Sequence, residues 1–120
     1  MKNIDAMYLE RMLMKFDFIY AATLLKALAD PVRTRIMHIL SCGEVCVCEL
    51  QQYFEITQST LSHHLSILKK ADLITTRKEG TWNYYSVKGD TVKDLSRILD
   101  EIFIPGSECL CHKIPNHLPC

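Results

Sequence analysis

A short helix and a longer one, joined by a tight turn, constrain the fold of this chain more than any other feature of its sequence. Apolar residues recur at helical spacing over about 45–53 and again over about 58–71, and only a few residues separate the two segments. Thr57 is a typical N-cap for the second helix. The apolar stripe of this helix comprises three leucines, Leu61, Leu65 and Leu68. Two helices joined by so short a turn favour a helix-turn-helix.

The segments after this pair of helices switch to the composition of β-strands. Residues 73–78 and 82–87 are rich in β-branched and aromatic side chains, and Gly80 between them supplies the glycine that a hairpin turn needs. Helical spacing then returns, with Thr91 and Asp94 three residues apart as in a capping box. The sequence therefore predicts a mainly α fold with a small β-hairpin wing (α+β), a winged helix-turn-helix.

Further helices are expected before the helix-turn-helix. Apolar residues recur at helical spacing over about 4–16 and over 18–28. Asp30 followed by Pro31 is typical of an N-cap and the first helical position. Gly43 is a suitable residue to end the helix that begins there.

The length and composition of the chain limit its class. Its 120 residues suit a single domain, which we place at residues 1–104, followed by a Cys/His-rich tail over 105–120. The formal net charge is zero, but residues 57–80 carry four basic and two acidic side chains, a modest patch of net +2. Nothing resembles a signal peptide, and no apolar run approaches the roughly 20 residues that span a bilayer. We therefore expect a cytoplasmic protein with no membrane association.

The chain contains six cysteines. Because cytosolic thiols stay reduced, they indicate metal binding or redox sensing rather than a disulfide framework. Cys46 with Cys48, and Cys109 with Cys111, form two Cys-x-Cys pairs, and thiolates bind soft, thiophilic ions. The alternative is that each cysteine is a small buried apolar residue, which explains one cysteine in a helix better than two such pairs.

Four segments of the chain carry a recognisable pattern. They are Ala27-Leu28-Ala29-Asp30-Pro31-Val32-Arg33, Cys46-Val47-Cys48-Glu49-Leu50, Gln58-Ser59-Thr60-Leu61-Ser62-His63-His64-Leu65 and Tyr84-Tyr85-Ser86-Val87. Their order and spacing, over about residues 15–104, resemble the ArsR/SmtB family of winged-helix metal-sensing repressors. The resemblance implies a repressor that an inducer ion releases from double-stranded operator DNA, with no organic cofactor.

The first cysteine pair resembles the box of the arsenical-sensing branch, which implies As(III) or Sb(III) as the inducer. Some arsenical sensors have a third cysteine three residues after the second, where this chain has Gln51. The last helix has no histidine for the family's zinc- or nickel-type sites, and no cysteine precedes Cys42, as the cadmium/lead branch would require. The alternatives are a sensor of another thiophilic ion, such as Cd(II) or Pb(II), and a thiol redox-switch repressor.

Trivalent arsenic and antimony prefer three thiolates, of which Cys46 and Cys48 would supply two. In a regular helix, positions i and i+2 face apart, so both sulfurs can bind one ion only if the helix starts late or its first turn distorts. Cys42 or a tail cysteine of either subunit would supply the third sulfur. The tail cysteines are Cys109, Cys111 and Cys120. Otherwise the tail forms a separate ion site with His112 and His117, or is a disordered end.

The polar face of the second helix of the pair is the candidate DNA reader. The first residues of a recognition helix contact base edges and phosphates, and Gln and Ser side chains suit these contacts. The candidates are Gln58, Ser59, Thr60, Ser62 and His63. Arg77 and Lys78 in the wing are expected to contact phosphate, whereas His64, beside the leucine stripe, is expected to be structural. The alternative for both surfaces is a merely solvated polar face.

Apolar stripes occur near both ends of the predicted domain, over 4–28 and 91–103. The resemblance assigns them to the interface of a homodimer, and otherwise they close the monomer core. A dimer with one recognition helix per chain requires an inverted-repeat operator. An enzyme is disfavoured, because the sequence has no phosphate-cradling loop and no cysteine with a convincing general base nearby.

Overall fold

The computed structural model describes residues 17–104, which form five helices and three short strands. The helices are α1 (Phe18–Leu28), α2 (Pro31–Leu40), α3 (Val47–Gln51), α4 (Gln58–Lys70) and α5 (Gly89–Phe103). The strands are β1 (Val45–Cys46), β2 (Ile74–Glu79) and β3 (Trp82–Val87). The helix predicted over 4–16 and the tail over 105–120 lie outside the described residues. None of the helices within 17–104 is long and apolar enough to cross a membrane.

The start of α2 follows from its first residues, as the sequence predicted. Asp30 is the N-cap, and its Oδ2 accepts the backbone N–H of Val32 at 2.8 Å and that of Arg33 at 3.1 Å. Pro31 occupies the first turn, where its fixed φ is already helical and its missing N–H leaves no donor unpaired. After α2, Gly43 has a φ of +143°, a conformation open to glycine and strained for other residues.

The core forms where α4 packs across the other helices. The predicted stripe of Leu61, Leu65 and Leu68 is fully buried. It meets apolar side chains from every neighbouring element, namely Leu24, Ala27, Ile36, Leu40, Leu50, Leu73, Ile74 and Leu95. Each leucine taken out of water in this way contributes about 1.5–3 kcal/mol. The polar side of α4 is consequently turned to solvent.

The wing is a three-stranded sheet, whereas the sequence predicted only a hairpin. The strand order is β1-β3-β2, and both pairs are antiparallel. Within one row of this sheet, Tyr84 of β3 lies between Cys46 of β1 and Arg77 of β2. Gly80 makes the hairpin turn with a φ of +61°, which favours glycine. The segment before α3 is thereby attached to the wing.

The helix predicted over about 45–53 is wrong at both ends. Val45 and Cys46 are extended and pair with β3, so α3 begins only at Val47 and ends at Gln51. The β-branched Val45 favours a strand, and a neighbouring strand edge is available to pair with it. Helical spacing over a few residues could not reveal this long-range pairing.

The predicted capping box at the start of α5 is also wrong. The helix starts at Gly89 with Lys88 as its N-cap, and Lys88 makes no side-chain capping bond. The Thr91 hydroxyl donates instead to Oδ2 of Asp72 at 3.3 Å. Asp94 accepts from the Tyr20 hydroxyl of α1 at 3.2 Å. Both side chains of the supposed box therefore make tertiary contacts, which hold α5 against α1 and the end of α4.

Candidate functional site

The Cys46 and Cys48 side chains lie on one side of the start of α3, with their sulfurs 2.8 Å apart. Cys46 is the N-cap residue, in an extended conformation with φ −71° and ψ 144°, while Cys48 belongs to the first turn. Because the helix begins after Cys46, the pair escapes the helical geometry in which positions i and i+2 face apart. The structure thus has the late helix start that a shared ion requires.

The two thiols have different environments. Cys46 is buried, with 3% of its surface exposed, and Cys48 is exposed. The hydrogen bond with Cys46, assisted by desolvation, raises the pKa of the Cys48 thiol above its ordinary value of 9.0. A raised pKa leaves less thiolate for an oxidant to attack. A soft ion overcomes the same penalty by displacing the proton as it binds.

A third ligand does not complete the pair within the part of the chain that the structure describes. No group of three or more His, Cys, Asp or Glu side chains suited to a metal ion occurs among residues 17–104. Cys42 is exposed in the loop after α2. The other candidates, Cys109, Cys111 and Cys120, and the tail histidines His112 and His117 lie outside the described residues. The source of the third sulfur therefore stays a prediction.

The predicted DNA-reading side chains occupy the outer face of α4. All five candidates are exposed, namely Gln58, Ser59, Thr60, Ser62 and His63. Thr57 caps the helix as predicted, because its Oγ1 accepts the backbone N–H of Thr60 at 3.2 Å. The Thr57 hydroxyl also donates to Oγ1 of Thr60 at 2.9 Å. The cap engages Thr60, while Ser62 and His63 lie in the following turn.

His64 holds α4 against the start of α2, which confirms the prediction that it is structural. Its side chain is only 13% exposed, and its Nδ1 lies 3.1 Å from Nη1 of Arg33 and 3.8 Å from Oδ2 of Asp30. Arg33 also donates through Nε to the carbonyl of Ala27 at the end of α1. The sequence indicated Asp30 only as a cap, because nothing in the local pattern indicates a partner more than thirty residues away.

The wing arginine is engaged with two carboxylates. Nη2 and Nε of Arg77 donate to Oε1 and Oε2 of Glu44 at 2.7 and 3.0 Å, and Nη1 donates to Glu79 at 2.6 Å. The guanidinium carbon also lies 4.6 Å from the centre of the Tyr84 ring. The hydrogen bonds from Arg77 hold the pKa of Glu44 below its ordinary value of 4.5.

These contacts bear on the predicted phosphate contacts of the wing. The two carboxylates engage three of the five N–H donors of the Arg77 guanidinium, so two remain for a phosphate, and Lys78 is exposed beside it on β2. Both contacts stay predictions. Nothing in the sequence indicated this role for Glu44, because the residue lies 33 positions from Arg77 and outside any motif.

Known proteins resemble this chain in sequence and in fold. Residues 30–76 match the family described as bacterial regulatory protein, arsR family. The arsenical resistance operon repressor of Staphylococcus aureus is 38% identical over 93 residues, which cover 78% of this chain and 89% of that protein. The repressor of the same name from Bacillus subtilis is 51% identical over 71 residues, covering 58% and 68%.

A solved structure agrees with these sequence matches. It is described as a possible transcriptional regulator for arsenical resistance, and it superimposes with a TM-score of 0.63 at 30% sequence identity, covering 77% of this chain and 95% of that one. The predicted winged helix-turn-helix is thereby confirmed, as is the expectation of a regulator rather than an enzyme. On the strength of sequence and fold together, this chain belongs to the ArsR/SmtB family of DNA-binding transcriptional repressors.

Proposed function

We propose that this protein is a metalloid-responsive repressor. It binds an inverted-repeat operator as a homodimer, and As(III) or Sb(III) releases it by binding the thiolates of Cys46 and Cys48. The observation that carries the proposal is the 2.8 Å approach of these two sulfurs at the start of α3. Soft thiolates select thiophilic ions, and α3 is the helix that precedes the DNA-reading helix.

Ion binding would deform the start of α3, because the sulfurs are too close together to share an ion without moving. Metal–sulfur bonds of about 2.3 Å, opened by about 90–110°, hold two sulfurs about 3.3–3.8 Å apart. Cys46 and Cys48 must therefore separate from their present 2.8 Å. The movement has a route to the turn before α4, since the Gln51 side chain at the end of α3 donates to the carbonyl of Ile56 at 2.6 Å.

The homodimer is supported by apolar side chains that the monomer leaves in water. Ile19 of α1 is 82% exposed and Phe103 of α5 is 77% exposed. Leu25 and Ile102 of the same two helices are also exposed. Monomeric proteins rarely expose large apolar patches, and those that occur often mark interfaces. Because α1 and α5 are joined by the Tyr20–Asp94 hydrogen bond, we assign these side chains to one interface.

A thiol redox switch on the same fold is the second candidate, since two sulfurs this close could be oxidised together. The raised pKa of Cys48 weighs against it, because redox-sensing cysteines react as thiolates. Cd(II) and Pb(II) are soft ions that the same thiols would accept, so inducer selectivity requires a direct comparison.

The decisive experiment titrates the operator-bound protein with arsenite, antimonite, cadmium and zinc under reducing conditions, and separately with peroxide. Arsenite and antimonite are expected to release the DNA. In Cys46→Ser and Cys48→Ser, operator binding should persist while release by arsenite is lost, because a serine hydroxyl is a hard, protonated donor. The free energy that couples ion binding to operator release, which these variants lose, is about 1–3 kcal/mol or more.

Two further variants locate the third sulfur. Cys42→Ser and a truncation after Ser107 each remove one candidate source, and the one that weakens the arsenite response more identifies it. Release of the Cys46→Ser/Cys48→Ser double variant by arsenite would place the sensing site elsewhere, in the tail cysteines.

A further inference from the structure

Cys46 is a strand residue of the wing as well as the N-cap of α3. It pairs with Tyr84 of β3, and Tyr84 pairs on its other side with Arg77 of β2. The Arg77 guanidinium carbon lies 4.6 Å from the centre of the Tyr84 ring. One row of the sheet therefore leads from a proposed ion ligand to the arginine of the wing.

Glu44, two residues before Cys46, strengthens this connection. Its two carboxylate oxygens accept from Nη2 and Nε of Arg77 at 2.7 and 3.0 Å, and Oε2 also accepts from the Ser86 hydroxyl at 3.5 Å. Such a two-point contact between a guanidinium and a carboxylate fixes the geometry of both groups. Since β1 has only two residues, the contact adds a side-chain attachment to a very short ladder.

Rotation of the two cysteine side chains takes up part of the separation of the sulfurs on ion binding, and the remainder is divided between β1 and α3. On the α3 side, Leu50 is completely buried in the core. On the β1 side, Cys46 continues directly into the segment that holds Glu44. Displacement of Cys46 therefore strains or breaks the contact between Glu44 and Arg77.

We propose that Glu44 is a positioning residue that transmits ion binding at Cys46 and Cys48 to the wing, through its contact with Arg77. The inference rests on the proposed function, and it adds the wing as a second element that the inducer displaces. Glu44 touches neither the ion nor the DNA in this account. It acts by making the position of Arg77 depend on the position of β1.

The test compares Glu44→Gln with Glu79→Gln in the full-length dimer. Both variants remove one negative charge from the same guanidinium, so their general effect on attraction to DNA is matched. Of the two carboxylates, only Glu44 belongs to the segment that leads into β1, whereas Glu79 lies on β2 with Arg77 itself. The measured quantity is the ratio of arsenite affinities of the free and the operator-bound protein. We expect Glu44→Gln to lower this ratio about three- to tenfold, and Glu79→Gln to leave it at the wild-type value.

The single tryptophan of the chain gives a direct readout of the wing. Trp82 opens β3 and is 53% exposed, so its fluorescence reports a change in the wing when arsenite is added without DNA. The wild-type protein should show a change that saturates with arsenite binding. In Glu44→Gln, arsenite should still bind, as a thiol titration would verify, while the fluorescence change is diminished.

The outcomes separate this inference from the proposed function. Wild-type protein that arsenite does not release from DNA overturns the proposed function, and the inference with it. Release of the wild type together with an unaltered affinity ratio in Glu44→Gln overturns the inference alone. An equal loss in Glu44→Gln and Glu79→Gln also overturns it, because the effect would then belong to the charge of the wing rather than to the attachment of β1.

Discussion

The two helices of the helix-turn-helix are held in the molecule by different means. α4 has 13 residues, three fully buried leucines and a Thr57 side chain that caps its first turn. α3 has five residues, one buried side chain, Leu50, and an N-cap, Cys46, that makes no capping bond. Few buried contacts and an uncapped end are features of segments that open at low cost.

The two adjacent helices therefore have opposite physical properties, because α4 is held rigidly and α3 is easily deformed. An element that reads DNA has to keep its side chains in fixed positions, and the leucines of α4 provide that rigidity. An element that senses an ion has to change shape when the ion binds, and the short α3 can do so without exposing much of the core. In the proposed function, sensing and reading are therefore separated by local stability, although only six residues separate the two helices.

The largest expected effect tests the rigidity of α4. Leu65→Ala should lower the free energy of unfolding by about 2–5 kcal/mol, because it removes a buried side chain and leaves a cavity. Urea denaturation measures the change. Ser66→Ala, next to it on the exposed face, is the control and should stay within about 0.5 kcal/mol of the wild type. Equal midpoints for the two variants would show that the leucine stripe does not hold α4.

A smaller effect is expected when the outer face of the same helix is altered. Ser62→Ala and His63→Ala should each weaken operator binding by about 1–3 kcal/mol if the side chain contacts a base, with little change in stability or in arsenite affinity. Fluorescence anisotropy with labelled operator measures the loss, and Ser96→Ala on α5 is the matched control. Wild-type operator affinity in both variants would move the DNA surface away from α4.

The smallest expected effect is on the pH dependence of stability, and it concerns the attachment of α4 to α2. The backbone N–H of Arg33, together with that of Val32 and the charge of His64, holds the pKa of Asp30 below its ordinary value of 3.8. A carboxyl whose pKa is lower in the folded state stabilises the fold above its ordinary pKa, and this contribution is lost as the pH falls through the folded-state value. Asp30→Asn keeps a good N-cap but removes the titrating group.

Urea midpoints between about pH 3 and pH 6 check this expectation. Asp30→Asn should be slightly less stable than the wild type at neutral pH, and the two curves should converge as the pH falls, because only the wild type loses this contribution. Parallel curves over the whole range would mean that the charge of Asp30 does not contribute to the stability of the fold.

The rigid helix was also the one that the sequence predicted well. The stripe of Leu61, Leu65 and Leu68 and the cap at Thr57 are local signals, because a long amphipathic helix determines its own boundaries and inner face. The end of α4 differs by one residue from the predicted boundary. The helix predicted around Cys46, by contrast, had to be corrected at both ends.

The candidate site depends on contacts that no local pattern encodes. Val45 and Cys46 are extended because β3 lies beside them, and β3 comes about forty residues later. The spacing of Cys46 and Cys48 indicated that they form one candidate site and that the helix has to start late. The spacing could not show that pairing with β3 is the cause of this late start. The partnerships of Glu44 with Arg77 and of His64 with Arg33 were likewise hidden, since each joins residues more than thirty positions apart.

The row that joins Cys46, Tyr84 and Arg77 also limits how the length of the chain can vary. Side chains alternate along a strand, so one residue inserted within β3 would turn every following side chain to the opposite face. An insertion between Tyr84 and Tyr85 would thus change what lies beside β1 and alter the surroundings of the cysteine pair. Added residues at Gly80 and Thr81 would only lengthen the tip. The tip of the wing can therefore vary in length without disturbing the cysteines, whereas its base cannot.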